Sequence, residues 1–138
     1  MTYLDVVHIY SIVRAGYVPQ LFSLRLPNPD VIFELLQKAQ GKALIFDPSF
    51  GDVSAQNNVR THMAVDARVE RPSSFVLHPI QEGKNGDETL MIFHTSGSTS
   101  GRPKLIPCSY AWWDFNMSKA QEATKPFNPA RKDVASWM

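Results

Sequence analysis

Thr95, Ser96, Gly97, Ser98, Thr99, Ser100 and Gly101 form an unbroken run of hydroxyl-bearing residues and glycines, followed by Arg102, Pro103 and Lys104. Such a run bends freely and lines a concave surface with hydroxyl and backbone N–H donors, which suits an anion. Lys104 adds a cation that acts as a point charge toward a phosphate, and Pro103 removes a donor and blocks helical continuation. The same composition also describes a flexible connector. Position separates the two readings. The run lies between apolar residues 90–93 and the apolar pair Leu105 and Ile106, with a proline and a lysine at its exit, as ligand loops at a sheet edge do. Two other loop chemistries are excluded by spacing. Gly97 and Gly101 enclose three residues and are followed by Arg102, which is not the G-x-x-x-x-G-K-[ST] phosphate loop, and Thr99 stands where a G-x-S-x-G nucleophile elbow needs serine.

The elements around the loop are legible from pattern. Residues 90–93 are a short apolar run after Asn85, Gly86 and Asp87, which predicts a turn and then a buried strand. Ser109 is placed to cap a helix running to about Ala123. Trp113, Met117 and Ala120 share one face of it, Trp112 and Phe115 widen the apolar surface, and such a cluster reads as core packing. Upstream, residues 3–15 predict a largely buried helix with Thr2 as cap and Asp5, His8 and Ser11 as a wetter stripe, His8 being a surface residue without chemistry. Gly16 stops that helix, and residues 17–24 read as a strand, with Pro19 near its start or on an edge. Asn28 and Pro29 start a second helix whose face is Val31, Ile32, Leu35, Leu36 and Ala39, ended by Gly41. Residues 43–46 follow as a buried strand closed by Asp47 and Pro48.

The middle and end of the chain are plainer. Ala55, Val59 and Met63 mark a third helix, Val65, Ala67 and Val69 alternate as in a strand, and residues 75–77 suggest another. Residues 81–88 read as a solvated loop, 125–132 as a proline-containing connector and 134–138 as the start of a strand. The alternation of helices and strands predicts an α/β fold, a partial parallel sheet with flanking helices around a βαβ-like scaffold that carries the loop.

With 138 residues, 43% hydrophobic and 20% charged, the chain reads as one soluble globular unit. A net charge of +1 offers no electrostatic case for nucleic acid or an anionic membrane. Cys108 is the single cysteine, so no internal disulfide can form, and it reads as a small packing residue in a reducing, cytoplasmic compartment. The N-terminal apolar segment is interrupted by Asp5, His8 and Arg14, which argues against a secretory signal and a membrane span.

The motif Thr95-Ser96-Gly97-Ser98-Thr99, then Gly101-Arg102-Pro103-Lys104, resembles the phosphate-binding signature of the adenylate-forming (AMP-binding) superfamily. That superfamily includes acyl-CoA synthetases, luciferases and the adenylation domains of nonribosomal peptide synthetases. Its pattern is T-[ST]-G-[ST]-[ST]-G-x-P-K, and this chain carries one additional residue, placed at Ser100. Residues 8–26, with Arg14-Ala15-Gly16 and Val18-Pro19, resemble the helix and strand that precede the signature, and 133–138 resemble the strand entering the next family motif.

The resemblance implies that residues 1–138 are an incomplete adenylation domain, part of the large N-terminal subdomain. Its reaction joins a small-molecule carboxylic acid to ATP as acyl-AMP, with Mg2+, and commonly passes the acyl group to a thiol of CoA or carrier-protein phosphopantetheine. It implies ATP-binding roles for Thr95, Ser96, Gly97, Ser98, Thr99, Ser100, Gly101 and Lys104. The family's magnesium-binding glutamate, ribose-binding aspartate and catalytic lysine lie downstream of the signature, so no catalytic residue or metal ligand is assigned here. Two expectations follow: a segment of an ATP-dependent ligase, synthetase-like reductases included, or a catalytically inactive remnant or interaction module that keeps the α/β scaffold.

Overall fold

The computed structural model describes residues 3–22, 28–50, 59–66, 74, 76, 85–97 and 102–125. The first helix, α1, spans Tyr3–Arg14 and carries Asp5 in its first turn and Arg14 in its last, charges that complement the helix dipole. It ends in a Schellman closure. Gly16 sits at φ +84°, its N–H reaches the Val13 carbonyl at 2.9 Å, and the Tyr17 N–H reaches that of Ile12 at 3.1 Å.

Helix α2, Pro29–Lys38, begins as its sequence requires: the Asn28 side chain accepts from the Asp30 N–H at 2.9 Å and proline fills the first turn, which needs no donor. Phe33, Leu35 and Leu36 are buried. The left-handed residue at its end is Gln40, at φ +55°, and not Gly41. Gly41 is demanded by contact instead, because a Cβ there would lie 2.6 Å from Leu36 Cδ2 while its N–H donates to the Leu36 carbonyl at 2.8 Å.

Strand β1, Ala43–Phe46, pairs in parallel with β2, Arg60–Met63, from Ala43 opposite Arg60 to Phe46 opposite Met63. This corrects two expectations. β1 alternates exposed and half-buried residues and is not a buried strand, and residues 60–63 form a strand where spacing suggested a helix. Positions 59 and 63 fit helical spacing equally well, and pairing with β1, which no local pattern encodes, decides between them. Expectations for residues 51–58, 67–73, 75, 77–84 and 126–138 lie outside the described residues.

Strand β3, Thr89–His94, and strand β4, Leu105–Ser109, form an antiparallel hairpin. Parallel pairing therefore holds for β1 with β2, but the loop at 95–104 joins an antiparallel pair and is not carried by a βαβ unit. On the other edge of β3, the expected strand over residues 17–24 reduces, within its described part, to one parallel bridge between Gln20 and Ile92. Ile92 donates to the Pro19 carbonyl at 2.9 Å and accepts from Leu21 N–H at 3.0 Å. Pro19, which has no N–H, contributes only its carbonyl and is buried. Because Ile92 turns its polar groups that way, the residue opposite it on β4 has no ladder bond to make. That residue is Pro107.

Helix α3, Tyr110–Ala123, is anchored at its first turn. Tyr110 N–H donates to the Glu88 carbonyl at 3.1 Å, Ala111 N–H to that of Gly86 at 2.9 Å, and Trp112 N–H to Ser109 Oγ at 3.2 Å. Three of the donors that a helix start leaves open are thereby satisfied. The turn at 85–88 is closed by Glu88 N–H on the Asn85 carbonyl at 3.0 Å and by Asp87 N–H on Asn85 Oδ1 at 3.2 Å. The core-packing expectation for the aromatic residues does not hold: Trp112 is 48%, Phe115 62% and Met117 54% exposed, and α3 has no buried residue. Among the described residues, the hydrogen bonds that join α3 to the hairpin and its preceding turn lie at the start of the helix. Cys108 is buried, as expected of a packing residue.

His8 also departs from expectation. It is half-buried: its Nδ1 donates to the Leu4 carbonyl at 2.7 Å and its Nε2 accepts from Val65 N–H at 3.3 Å. That pair of contacts requires the neutral tautomer with the proton on Nδ1, and it ties α1 to the segment after β2.

Candidate phosphate-binding hairpin loop

The apolar run 90–93 and the pair Leu105 and Ile106 become the two arms of the hairpin, in register from Met91 opposite Cys108 to His94 opposite Leu105. The single irregularity lies at the far end, between Thr89 and Met91. Beyond His94 the arms remain clasped. Thr95 N–H donates to the Lys104 carbonyl at 2.9 Å, as the antiparallel ladder demands, but the return bond is altered. Lys104 N–H goes to Thr95 Oγ1 at 2.9 Å. The Thr95 carbonyl instead accepts from the imidazole of His94, whose Nδ1 lies 2.9 Å away. The His94 ring is half-buried and stacks on Phe22, with centroids 6.2 Å apart and planes at 27°.

A second constriction follows. Gly97 is buried at φ +74°, and a Cβ there would lie 2.8 Å from both Arg102 C and Pro103 N. The arms thus touch twice, at Thr95 with Lys104 and at Gly97 with the Arg102–Pro103 peptide. Gly97 meets two demands that only glycine satisfies together, a left-handed backbone and a backbone-to-backbone approach. Ser98, Thr99, Ser100 and Gly101, which would form the tip, lie outside the described residues. Of the expected site residues, the structure places Thr95, Ser96, Gly97 and Lys104, with Ser96 and Lys104 exposed.

The charges near the neck come from Arg102 and Lys104 on the returning arm and from α2. Glu34 on α2 has its carboxyl held below the ordinary value, first by the hydrogen bond and charge of Lys38 and to a smaller degree by Arg102. The Glu34–Lys38 pair itself, at 2.7 Å, is exposed and adds little to stability. Among the described residues no cluster of three or more His, Cys, Asp or Glu side chains could hold a metal ion, so no magnesium ligand is assigned. Among them, too, no helix is long and apolar enough to cross a membrane.

Sequence reasoning does not single out His94. A histidine at the end of an apolar strand reads as an ordinary packing residue, and its hold on the Thr95 carbonyl depends on a hydrogen bond that no spacing rule encodes. Its position immediately before the hydroxyl run is the one signal that could have raised it.

No family model matches the chain, and no solved structure matches it. Curated proteins do. The chain is 33% identical over 114 residues to the AMP-binding domain-containing enzyme iboA of Amanita muscaria (strain Koide BX008), covering 76% of this chain and 21% of that protein. It is 27% identical over 130 residues to the adenylate-forming reductase stbB of Stachybotrys bisbyi, covering 87% of this chain and 12% of that protein. The chain therefore spans about a fifth or less of the length of these relatives. The relationship agrees with the signature in residues 95–104, and the chain belongs to the adenylate-forming (AMP-binding) superfamily.

Proposed function

We propose that residues 95–104 are the ATP phosphate-binding loop of an adenylate-forming ligase and that this chain is part of its large N-terminal subdomain. The observation that carries the reading is the clasped neck, which places Lys104 beside Thr95 at the base of a hydroxyl- and glycine-rich tip. In the proposed reaction a carboxylate oxygen attacks the α-phosphorus of ATP, the bond to the bridging oxygen breaks, and pyrophosphate leaves with the accumulating negative charge. The loop answers the last of these needs. Backbone N–H groups, the hydroxyls of Ser96, Ser98, Thr99 and Ser100, and the Lys104 ammonium hold the leaving pyrophosphate in a fixed electrostatic cradle. Gly97 and Gly101 let the backbone approach closely. Magnesium, when bound, adds charge neutralisation on the phosphates, through ligands outside those described. The acyl-adenylate then meets an acceptor thiol, that of CoA or of a carrier-protein phosphopantetheine, in a cytoplasmic setting.

The test is carboxylate-dependent exchange of pyrophosphate into ATP, measured for wild type and Lys104→Ala in the complete protein carrying this chain. Loss of a charge-assisted contact of roughly 1.5 to 3 kcal/mol slows exchange about tenfold or more. Equal rates would remove Lys104 from the mechanism. Absence of exchange from the wild type with any acid would favour a non-catalytic remnant.

A further inference from the structure

Resting on the reading of Lys104 as the phosphate-binding cation, we propose that Thr95 is its positioning residue, acting through the Lys104 backbone rather than through contact with phosphate. Both polar backbone groups of Lys104 are held by this one threonine: the carbonyl by Thr95 N–H and the N–H by Thr95 Oγ1, each at 2.9 Å. Two fixed points on either side of one Cα leave the lysine side chain free to swing only from a set origin. An ordinary ladder would send Lys104 N–H to the Thr95 carbonyl, and here it goes to the hydroxyl instead. Here that carbonyl accepts from His94 Nδ1 at 2.9 Å, and the imidazole is stacked on Phe22. The hydroxyl thus replaces one of the two backbone bonds by which an antiparallel pair would hold Lys104, while the other stays in place. By accepting from Lys104 N–H, the Thr95 hydroxyl is a structural member of the neck.

A double-mutant cycle in pyrophosphate–ATP exchange decides the matter, using the complete protein with Thr95→Val, Thr95→Ser, Lys104→Ala and the Thr95→Val/Lys104→Ala double variant. If Thr95 acts through Lys104, Thr95→Val slows exchange about as much as Lys104→Ala, Thr95→Ser restores it, and the double variant is no slower than Lys104→Ala alone. Multiplied losses, about a hundredfold where each single variant loses tenfold, would show that Thr95 meets the phosphates itself and would overturn the positioning role alone. Lys104→Ala exchanging at the wild-type rate would overturn the phosphate-binding reading, and this inference with it. Should Thr95→Val fail to fold, Thr95→Ala removes the same acceptor with a smaller side chain and enters the same cycle.

Discussion

Replacing Gly97 with alanine should open the neck of the hairpin. The left-handed backbone at φ +74° costs an L-residue about 1 to 2 kcal/mol. The new Cβ would also stand 2.8 Å from Arg102 C and Pro103 N, which are main-chain atoms and cannot rotate aside. Relief requires the arms to part, and the nearest bonds to break are the two between Thr95 and Lys104, at about 0.5 to 1.5 kcal/mol each. Local destabilisation of about 2 to 5 kcal/mol follows. Amide hydrogen exchange read by NMR is the direct assay, since the N–H groups of Thr95 and Lys104 are both bonded across the neck. In Gly97→Ala both should exchange more than about tenfold faster. Asparagine separates the two causes, because it tolerates the left-handed region yet carries a Cβ. If the close approach governs, Gly97→Asn is as open as Gly97→Ala. Exchange within about twofold of wild type in Gly97→Ala would refute the reasoning, and full recovery in Gly97→Asn would refute its steric half.

Deleting Ser100 should leave the β3–β4 register intact, because the arms are clasped at Thr95 and Lys104 below the tip, and should alter ATP affinity only modestly. A deletion variant that unfolds would contradict this. Ser109→Ala removes the cap that accepts from Trp112 N–H and should lower stability by about 1 kcal/mol, seen as an earlier urea midpoint with unchanged slope. Unchanged midpoints would mean that Gly86 and Glu88 suffice to hold the start of α3. The Asp47 carboxyl is held below its ordinary value by hydrogen bonds from Ser49, its side chain first and its backbone N–H second. A depressed folded-state value means the stabilisation is present above the unfolded value and is lost as pH falls through the folded one. Ser49→Ala should therefore move the Asp47 titration upward, as followed by carboxyl carbon shifts; an unmoved titration would exclude the hydroxyl as the main cause.

Where local chemistry decides, the sequence was readable. Asn28 before Pro29, Ser109 before an apolar helix and Asn85-Gly86-Asp87 before residues 90–93 each carry their own donors, acceptors or backbone preference, and each formed the expected cap or turn. Where partners distant in sequence decide, it was not. Residues 60–63 became a strand through β1, Pro19 joined β3 through one carbonyl, and His8 was drawn in by Val65. The apolar pattern around Trp112 identified a helix face, but a pattern cannot say whether anything covers that face. At the site, the hydroxyls, glycines and lysine were visible as types. The bond from Lys104 to Thr95 Oγ1 was not, because it depends on how the two arms meet, which residue types do not encode.

The two edges of β3 differ in the chain entropy needed to form them. β4 returns to it directly across residues 95–104, so its contacts close a short loop. The bridge from Gln20 to Ile92 gathers everything between them, including α2 and the β1–β2 pair, into one large ring. Ring closure grows costlier with the logarithm of length, while the reward at the Gln20 edge is, among the described residues, two backbone hydrogen bonds and at the β4 edge a ladder from Thr89 to His94. The edge that shapes the neck at Thr95 and Lys104 is therefore the one least dependent on the remainder of the fold. Substitutions in α2, β1 or β2 can loosen the outer attachment of β3 while leaving the clasp between Thr95 and Lys104 closed.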